Sequence, residues 1–189
     1  ADVAMYAAKN GGQRRRTRSA GYTPTMDHAF AAQTQLEVDL RRALDENELH
    51  LMYQPIVDLA THRLVGVEAL LRWFHPERGV VSPATSIPTA ERTGLIVPLG
   101  AWVRRTACAQ AAEWYRRYGD AAPTVSINVS PAQLHDDSFV PSFAALLAEY
   151  DLPAHRLTVE VTESMAVSEP AAHANLVALH RLGVRLSLD

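Results

Sequence analysis

The sequence predicts an α/β fold in which a β-hairpin leads into a mainly parallel sheet. Two strand-like runs, at residues 49–58 and 64–73, are separated by only a short polar joint, which is typical of an antiparallel hairpin. From residue 82 onward, helical and strand-like segments alternate along the chain. This alternation is the pattern of parallel strands that are joined by right-handed helical crossovers.

The elements around the hairpin follow from local signals. Before it, Leu36, Leu40 and Leu44 recur every four residues and predict one apolar face of a helix. After it, Ser82 and Pro83 predict the start of a short helix, because serine caps helices and proline suits their first turn. Gly94 and Gly119 are expected to end this helix and the longer one that follows, since glycine favours helix termini.

The later elements complete the alternation. The longer helix, at residues 99–118, has apolar residues spaced three or four apart. These residues are Leu99, Val103, Ala107, Ala111 and Trp114. The remaining elements are a strand at 124–129, a helix at 131–150 with a break near 136–137, a strand at 157–161, a helix at 171–182 and a strand at 184–188. The sequence therefore predicts five strands.

Composition limits the classes of partner and location. The 189 residues are 48% hydrophobic and 21% charged, which suits a globular domain with a core. A net charge of -3 gives no reason to expect nucleic acid as a partner. The single cysteine, Cys108, excludes an internal disulfide and fits a reducing compartment, so we expect a cytoplasmic location. No apolar run reaches the roughly 18 residues that span a bilayer, which leaves membrane attachment to regions upstream.

One charged residue interrupts the apolar strand at residues 64–71. Glu68 is costly to bury there unless a cation pairs with it. Arg72 lies four residues further, so both side chains leave the same face of a strand. Together they are suited to hold a metal ion and a phosphate side by side; the alternative for Arg72 is a surface ion pair.

Four polar residues lie near the ends of, or within, four different predicted strands. They are Glu68, Asn128, Glu160 and Asp189. In parallel barrels the active site lies at the carboxyl ends of the strands. Carboxylate and amide oxygens suit Mg²⁺ or Mn²⁺. Their spacing is not a local metal motif, so four unrelated polar residues near loops remain the alternative.

The chain carries six ordered blocks of sequence that resemble the EAL domains, bacterial phosphodiesterases of cyclic di-GMP. The blocks are YQPIV at 53–57, EALLRW at 68–73, HP at 75–76, AERTGLI at 90–96, NVS at 128–130 and EVTES at 160–164. The resemblance implies a (β/α)₈ TIM-like barrel with an antiparallel first strand. Such barrels typically need about 250 residues. With five strands here, we expect an incomplete barrel.

The resemblance also implies roles for individual residues. Glu68, Asn128, Glu160 and Asp189 match metal ligands of the family. Arg72 matches a phosphate-binding position and Gln54 a position near a guanine base, although Gln54 equally suits a strand-end residue bonded to backbone. Glu163 matches a glutamate that supports an active-site loop, so we assign it with Glu68 to catalysis; a plain loop acid is the alternative. The implied reaction is metal-dependent hydrolysis of cyclic di-GMP to the linear dinucleotide.

Departures from the family pattern limit this expectation. The family has two adjacent aspartates where this chain has Asp189 alone, and a later lysine, whereas Lys9 is the only lysine here. We therefore expect the 189-residue chain to be inactive by itself and to associate through its open sheet. A receptor that binds cyclic di-GMP without cleaving it is the alternative function.

The first residues resemble a different family. ADVAMYAAK at residues 1–9 is similar to the last helix of GGDEF domains, the diguanylate cyclases often fused ahead of EAL domains. We therefore divide the chain into a GGDEF-like tail at 1–18, an interdomain linker at 19–34 and the N-terminal part of an EAL domain at 35–189. The arginine cluster at 14–16 is interpreted as solvated linker rather than a site for nucleic acid or lipid. An upstream GGDEF domain is the expected partner.

Overall fold

The computed structural model describes residues 24–162 and 170–188. The described elements are α1 Pro24–Asp45, β1 Leu49–Val57, β2 Leu64–His75, β3 Gly79–Val81, α2 Pro83–Thr93, α3 Ile96–Tyr118, β4 Thr124–Asn128, α4 Pro131–Leu134, α5 Phe139–Glu149, β5 Leu157–Val161, α6 Pro170–Leu182 and β6 Arg185–Leu188. Short 3₁₀ turns at Gly119–Ala121 and Ala154–Arg156 precede β4 and β5.

The strands form one sheet in the order β1-β2-β4-β5-β6, with β3 paired to the end of β2. β1 and β2 are the predicted antiparallel hairpin, and β2, β4, β5 and β6 run parallel. Within the described residues β1 and β6 are edge strands, so the sheet does not close into a barrel. The carboxyl ends of β2, β4 and β5 consequently lie along one rim of the sheet.

The two faces of the sheet differ because alternate residues point to opposite sides. Val125, Ile127 and Val159 point toward the helices and are at most 1% exposed. They join one core cluster with Ala107 of α3 and Leu179 of α6. Burying a side chain of this size stabilises a fold by about 1.5–3 kcal/mol, so the helix-covered face fixes the sheet. The opposite face carries the polar residues described below.

A second core cluster attaches α1 to the end of β2. Leu40 of α1, Trp73 of β2 and Leu99 of α3 are each no more than 1% exposed. The indole Nε1 of Trp73 donates a 2.9 Å hydrogen bond to the buried carboxylate of Glu48, which also accepts one from Arg42. Burial alone would raise the pKa of Glu48, but these two partners outweigh it and lower the pKa.

A second buried carboxylate binds the turn after β2. The Oδ2 atom of Asp39 lies 3.2 Å from Nε2 of His75 and 3.5 Å from the guanidinium of Arg78. Burial would raise the pKa of Asp39, but the hydrogen bond from Gln35 and the close approach of His75 and Arg78 lower it. Nδ1 of His75 accepts from the backbone N–H groups of Glu77 and Arg78, so the ring proton lies on Nε2, toward Asp39. His75 therefore has a structural role in the turn after β2.

Some elements differ from the sequence predictions. The described residues contain six strands, not five, because Gly79–Val81 adds a three-residue strand to the end of β2. A segment this short leaves no periodic signal. Helix α1 begins at Pro24, within the stretch interpreted as linker, and α3 begins at Ile96 rather than near residue 99. The division of the chain into domains stays a prediction.

Candidate active site

The strand register brings the predicted site residues onto one face of the sheet. Gln54 of β1 is the direct cross-strand partner of Glu68 in β2. Glu68 pairs with Ser126 of β4, and Asn128, two residues further toward the carboxyl end, is the direct partner of Glu160 in β5. Arg72 lies four residues beyond Glu68 on β2 and therefore on the same face. Five of the seven predicted positions thus share a single face of the sheet.

The side chains of Glu68 and Asn128 are in direct contact. The Nδ2 atom of Asn128 donates a 2.7 Å hydrogen bond to Oε1 of Glu68, across a separation of 60 residues in sequence. Glu68 is half-buried, whereas Asn128 is exposed at the end of β4. The amide satisfies one lone pair of the carboxylate, which reduces the cost of placing this charge in an apolar strand.

The end of β4 is also tied to β5. The backbone N–H of Val129 donates a 3.1 Å hydrogen bond to the carbonyl of Glu160. This bond continues the parallel ladder by one residue beyond the last strand residue of β4. The half-buried Glu160 carboxylate and the Asn128 amide are therefore held on adjacent strands by backbone geometry.

A cavity adjoins these residues at the carboxyl end of β2. It has a volume of about 260 Å³ and is lined by Arg72, Asn128 and Gln133 among mostly apolar side chains, including Leu70 and Ile87. The guanidinium of Arg72 is half-buried, and its NH1 donates a 2.8 Å hydrogen bond to the carbonyl of Leu71. The remaining donors of this guanidinium make the cavity mouth suitable for an anionic group.

The donor set fits a hard divalent cation. Glu68, Asn128 and Glu160 offer carboxylate and amide oxygens, the ligands that Mg²⁺ and Mn²⁺ prefer. Glu163 and Asp189 lie outside the described residues. No group of three or more His, Cys, Asp or Glu side chains is clustered for metal binding in residues 24–162 and 170–188. One of the three described candidates is an amide, a ligand type outside that set of four residue types, and Glu68 and Asn128 share a side-chain contact, so the finding leaves this donor set untested.

Two buried polar residues beside the cavity were not predicted. Gln133 is 5% exposed and Arg104 is 3% exposed, and the NH1 atom of Arg104 donates a 3.1 Å hydrogen bond to Oε1 of Gln133. Arg104 shares a helical face with the buried residues Gly100, Cys108 and Ala111. An arginine on an apolar helical face is a sequence signal that would have identified it.

Other reactive groups lie away from this rim. Cys108 is fully buried, and burial raises the pKa of its thiol to about 12, so it is no thiolate nucleophile at neutral pH. Trp73 is buried in the second cluster, and Trp114 packs edge-on against Tyr53 with ring centroids 5.0 Å apart. Trp73 is thus a core residue, and Trp114 packs partly buried against the main core cluster.

Comparison with known sequences identifies the family of this chain. Residues 37–189 match the family model described as EAL domain. The chain belongs to the EAL domain family. Among structures that this EAL domain resembles, a MucR phosphodiesterase in complex with c-di-GMP has a TM-score of 0.76 and 41% identity, covering 82% of this chain and 63% of that one. This likeness confirms the predicted incomplete barrel with an antiparallel first strand.

Two relatives have names that state an activity. A cyclic di-GMP phosphodiesterase of Pseudomonas aeruginosa is 40% identical over 172 residues, which cover 90% of this chain and 29% of that protein. MucR of the same organism, a bifunctional diguanylate cyclase/cyclic di-GMP phosphodiesterase, is 40% identical over 192 residues, which cover 100% of this chain and 27% of MucR. This EAL domain thus spans less than a third of the length of either relative.

In the part of the chain that the structure describes, no helix combines the length and the apolar character needed to cross a membrane.

Proposed function

We propose that this EAL domain belongs to an enzyme that hydrolyses cyclic di-GMP to the linear dinucleotide. The observation that carries the proposal is the contact between Glu68 and Asn128 at the carboxyl rim of the sheet. Gln54, Arg72 and Glu160 lie on the same face, and the rim opens into a cavity. The relatives that are named as cyclic di-GMP phosphodiesterases support the choice of substrate.

The residues of this rim have separate tasks in the proposed reaction. Arg72 binds a phosphate oxygen through charge-assisted hydrogen bonds, which fix the phosphodiester against the strand ends. Gln54, directly opposite Glu68, contacts a guanine base at the edge of the site. Glu163 supports a neighbouring loop. These assignments divide the site into a part that recognises the dinucleotide and a part that promotes its hydrolysis.

The second part of the site requires a cation. EAL phosphodiesterases are metal-dependent. We assign Glu68, Asn128, Glu160 and Asp189 as the ligands and Mg²⁺ or Mn²⁺ as the ion. When bound, such an ion supplies Lewis-acid polarisation of the phosphodiester and a more acidic water. In the structure, Nδ2 of Asn128 donates a hydrogen bond to Glu68. To act as a ligand, the same amide must direct its Oδ1 atom toward the ion.

The proposal is tested by replacing Glu68 in the full-length protein. Glu68→Ala removes a carboxylate from the rim, so hydrolysis of cyclic di-GMP in Mg²⁺, followed by chromatography of the linear product, is expected to fall below detection. Glu77→Ala, the same change at an exposed position in the turn after β2, is the matched control and should retain activity. Retained hydrolysis in Glu68→Ala, with an unchanged circular dichroism spectrum, would remove Glu68 from the site.

The same experiment separates the enzyme from the alternative receptor. If the protein is a receptor, calorimetry shows binding of cyclic di-GMP but no linear product forms. This result is expected for both the wild-type protein and Glu68→Ala. The oxygen donors at the rim favour the enzyme, because binding of the dinucleotide alone does not require Glu68 and Glu160 as metal ligands. Binding without turnover by the wild-type protein would establish the receptor.

We also propose the setting of this domain. The division at residues 1–18, 19–34 and 35–189 places a GGDEF domain upstream, and the alignment with bifunctional MucR over the whole of this chain supports that order. We infer a cytoplasmic location because the one cysteine is a free thiol. Limited proteolysis of the full-length protein tests the division: we expect cleavage before Pro24, where helix α1 begins, and protection there would contradict it.

A further inference from the structure

The segment that carries Asn128 continues directly into helix α4, and Gln133 lies in that helix. The side chain of Gln133 is 5% exposed and lines the same cavity as Arg72 and Asn128. It lies only five residues after Asn128 along the chain. Gln133 and Asn128 thus belong to one short segment that begins at the rim of the sheet.

Gly100 of α3 provides the space that Gln133 occupies. A Cβ atom at position 100 would overlap the side-chain amide of Gln133, since its Oε1, Cδ and Nε2 atoms all lie against this glycine. The side chain that would have to move is itself buried and hydrogen-bonded to Arg104, so moving it disturbs that hydrogen bond. Glycine at this position is thus required by close approach rather than by an unusual backbone angle.

Arg104 fixes the other side of the same amide. Its guanidinium donates to Oε1 of Gln133 at 3.1 Å and lies over the rings of Phe139 and Phe143, with centroid distances of 4.9 and 5.7 Å. Its Nε atom makes no hydrogen bond within the described residues. Desolvation lowers the pKa of Arg104, and the charge of Asp136 opposes this effect. Burying a cation costs free energy. Here the buried guanidinium of Arg104 fixes the orientation of the Gln133 amide.

The rest of the segment is anchored independently. The Nδ2 atom of Asn175 in α6 donates a 2.7 Å hydrogen bond to the carbonyl of Leu134, and the N–H of Val129 donates to the carbonyl of Glu160. Contacts to α3, α6 and β5 thus hold residues 128–134 from three sides. Of these, the Gly100–Gln133–Arg104 contact is the one that reaches the cavity wall.

We propose that Gly100, Gln133 and Arg104 are positioning residues that hold the β4–α4 segment, and with it Asn128, in register with Glu68. None of the three is assigned contact with the ion or the substrate. The proposal rests on the proposed function of the rim as a cation and cyclic di-GMP site. It predicts that disturbing the buried contact weakens binding at the rim.

A double-mutant cycle tests the contact in the full-length protein. Gly100→Ala is expected to weaken Mn²⁺ binding, measured by calorimetry, by about 10- to 100-fold, the usual effect of losing a group that orients a metal ligand. Gln133→Ala should have an effect of similar size. The double variant should bind Mn²⁺ no more weakly than Gln133→Ala alone, because the added methyl group then meets no amide. Additive losses in the double variant would overturn the proposal.

Arg156 provides a matched control for Arg104. It is also a buried arginine, 7% exposed, and it lies over the ring of Tyr115 at 4.9 Å. It donates to the carbonyls of Asp120 and Ala122, at the opposite end of β4 from Asn128. Arg104→Met and Arg156→Met should both lower the melting temperature, but only Arg104→Met should weaken Mn²⁺ binding. Equal weakening by both variants would show a general loss of stability and overturn the proposal.

Two readouts separate this proposal from the proposed function. Wild-type protein that binds Mn²⁺ but not cyclic di-GMP would overturn the function alone, since the Mn²⁺ affinities still test the positioning role. Wild-type protein that binds both ligands, with unchanged affinities in Gln133→Ala and Arg104→Met, would overturn the positioning role alone. Should Gly100→Ala fail to fold, Gln133→Ala carries the test, because removing the amide leaves space rather than overlap.

Discussion

At the scale of single residues, Arg72 is the clearest candidate for substrate recognition. Arg72→Lys keeps the charge but removes the planar fork that binds two phosphate oxygens. We expect the Kd for cyclic di-GMP to rise about tenfold, because a hydrogen bond to a charged group contributes about 1.5–3 kcal/mol and lysine retains part of it. Isothermal calorimetry on the full-length protein measures this change.

Arg105→Lys is the control for this substitution. Arg105 forms an exposed ion pair with Glu149 on the helical side of the domain, at 2.9 Å. Exposed pairs of this kind contribute little to stability, so the control should leave both the melting temperature and the Kd unchanged. If Arg72→Lys also left the Kd unchanged, Arg72 would have the alternative role of a surface residue.

The sequence indicated candidate residues but not their contacts. Glu68 stood out because a carboxylate interrupts an apolar strand, and the two-residue period of strands placed Arg72 on its face. The contact between Glu68 and Asn128 joins residues 60 positions apart, and it depends on the order in which β2 and β4 pair. No local pattern contains that order. The resemblance to a known family named these residues without supplying their distances.

At the scale of elements, local chemistry was a good guide to where helices end. Gly94 has a φ of 76°, in the left-handed region, and its N–H bonds to the carbonyl of Glu91 at the end of α2. Ser82 accepts from the N–H of Ala84 at the start of the same helix. The three-residue strand β3 was missed because its pairing with β2 depends on tertiary context rather than on a period in the sequence.

Helix α6 gives a prediction about packing on the sheet. Leu179 is fully buried in the main core cluster, so Leu179→Ala leaves a cavity there and should lower the free energy of unfolding by about 2–5 kcal/mol. Urea denaturation, monitored by circular dichroism, measures the change. Leu59→Ala is the matched control: Leu59 is 85% exposed at the hairpin turn, and its loss should change stability by less than about 0.5 kcal/mol. Equal effects would contradict the described packing of α6.

At the scale of the whole molecule, Asp39 and Glu48 couple stability to pH. Both carboxyl groups have pKa values lowered in the folded state from the ordinary values of 3.8 and 4.5. Groups of this kind stabilise the fold fully above the unfolded pKa, and that contribution is lost as pH falls through the folded pKa. The free energy of unfolding should therefore be insensitive to these two groups above about pH 4.5 and decline below it.

The variant Asp39→Asn/Glu48→Gln tests this coupling. It should be less stable than the wild type at neutral pH, because His75, Arg78 and Arg42 lose their anionic partners. Its free energy of unfolding should also decline less steeply below pH 4.5. Urea titrations between pH 3 and pH 7 measure both effects. An acid decline as steep as that of the wild type would assign the pH dependence to other carboxylates.

The open sheet gives the last prediction, which concerns association of the 189-residue chain. Within the described residues β1 and β6 each pair on one side only, and an unpaired strand edge is a template for pairing with another chain. Leu188 of β6 is 63% exposed and Met52 of β1 is 54% exposed, so apolar surface accompanies both edges. Light scattering after size-exclusion chromatography should give a mass above the 20.8 kDa of one chain, rising with concentration.

Leu188→Lys should lower that mass, since a charge on an edge strand opposes pairing, whereas Leu59→Lys, at the hairpin turn, should not. A concentration-independent mass of one chain would mean that the edges are protected.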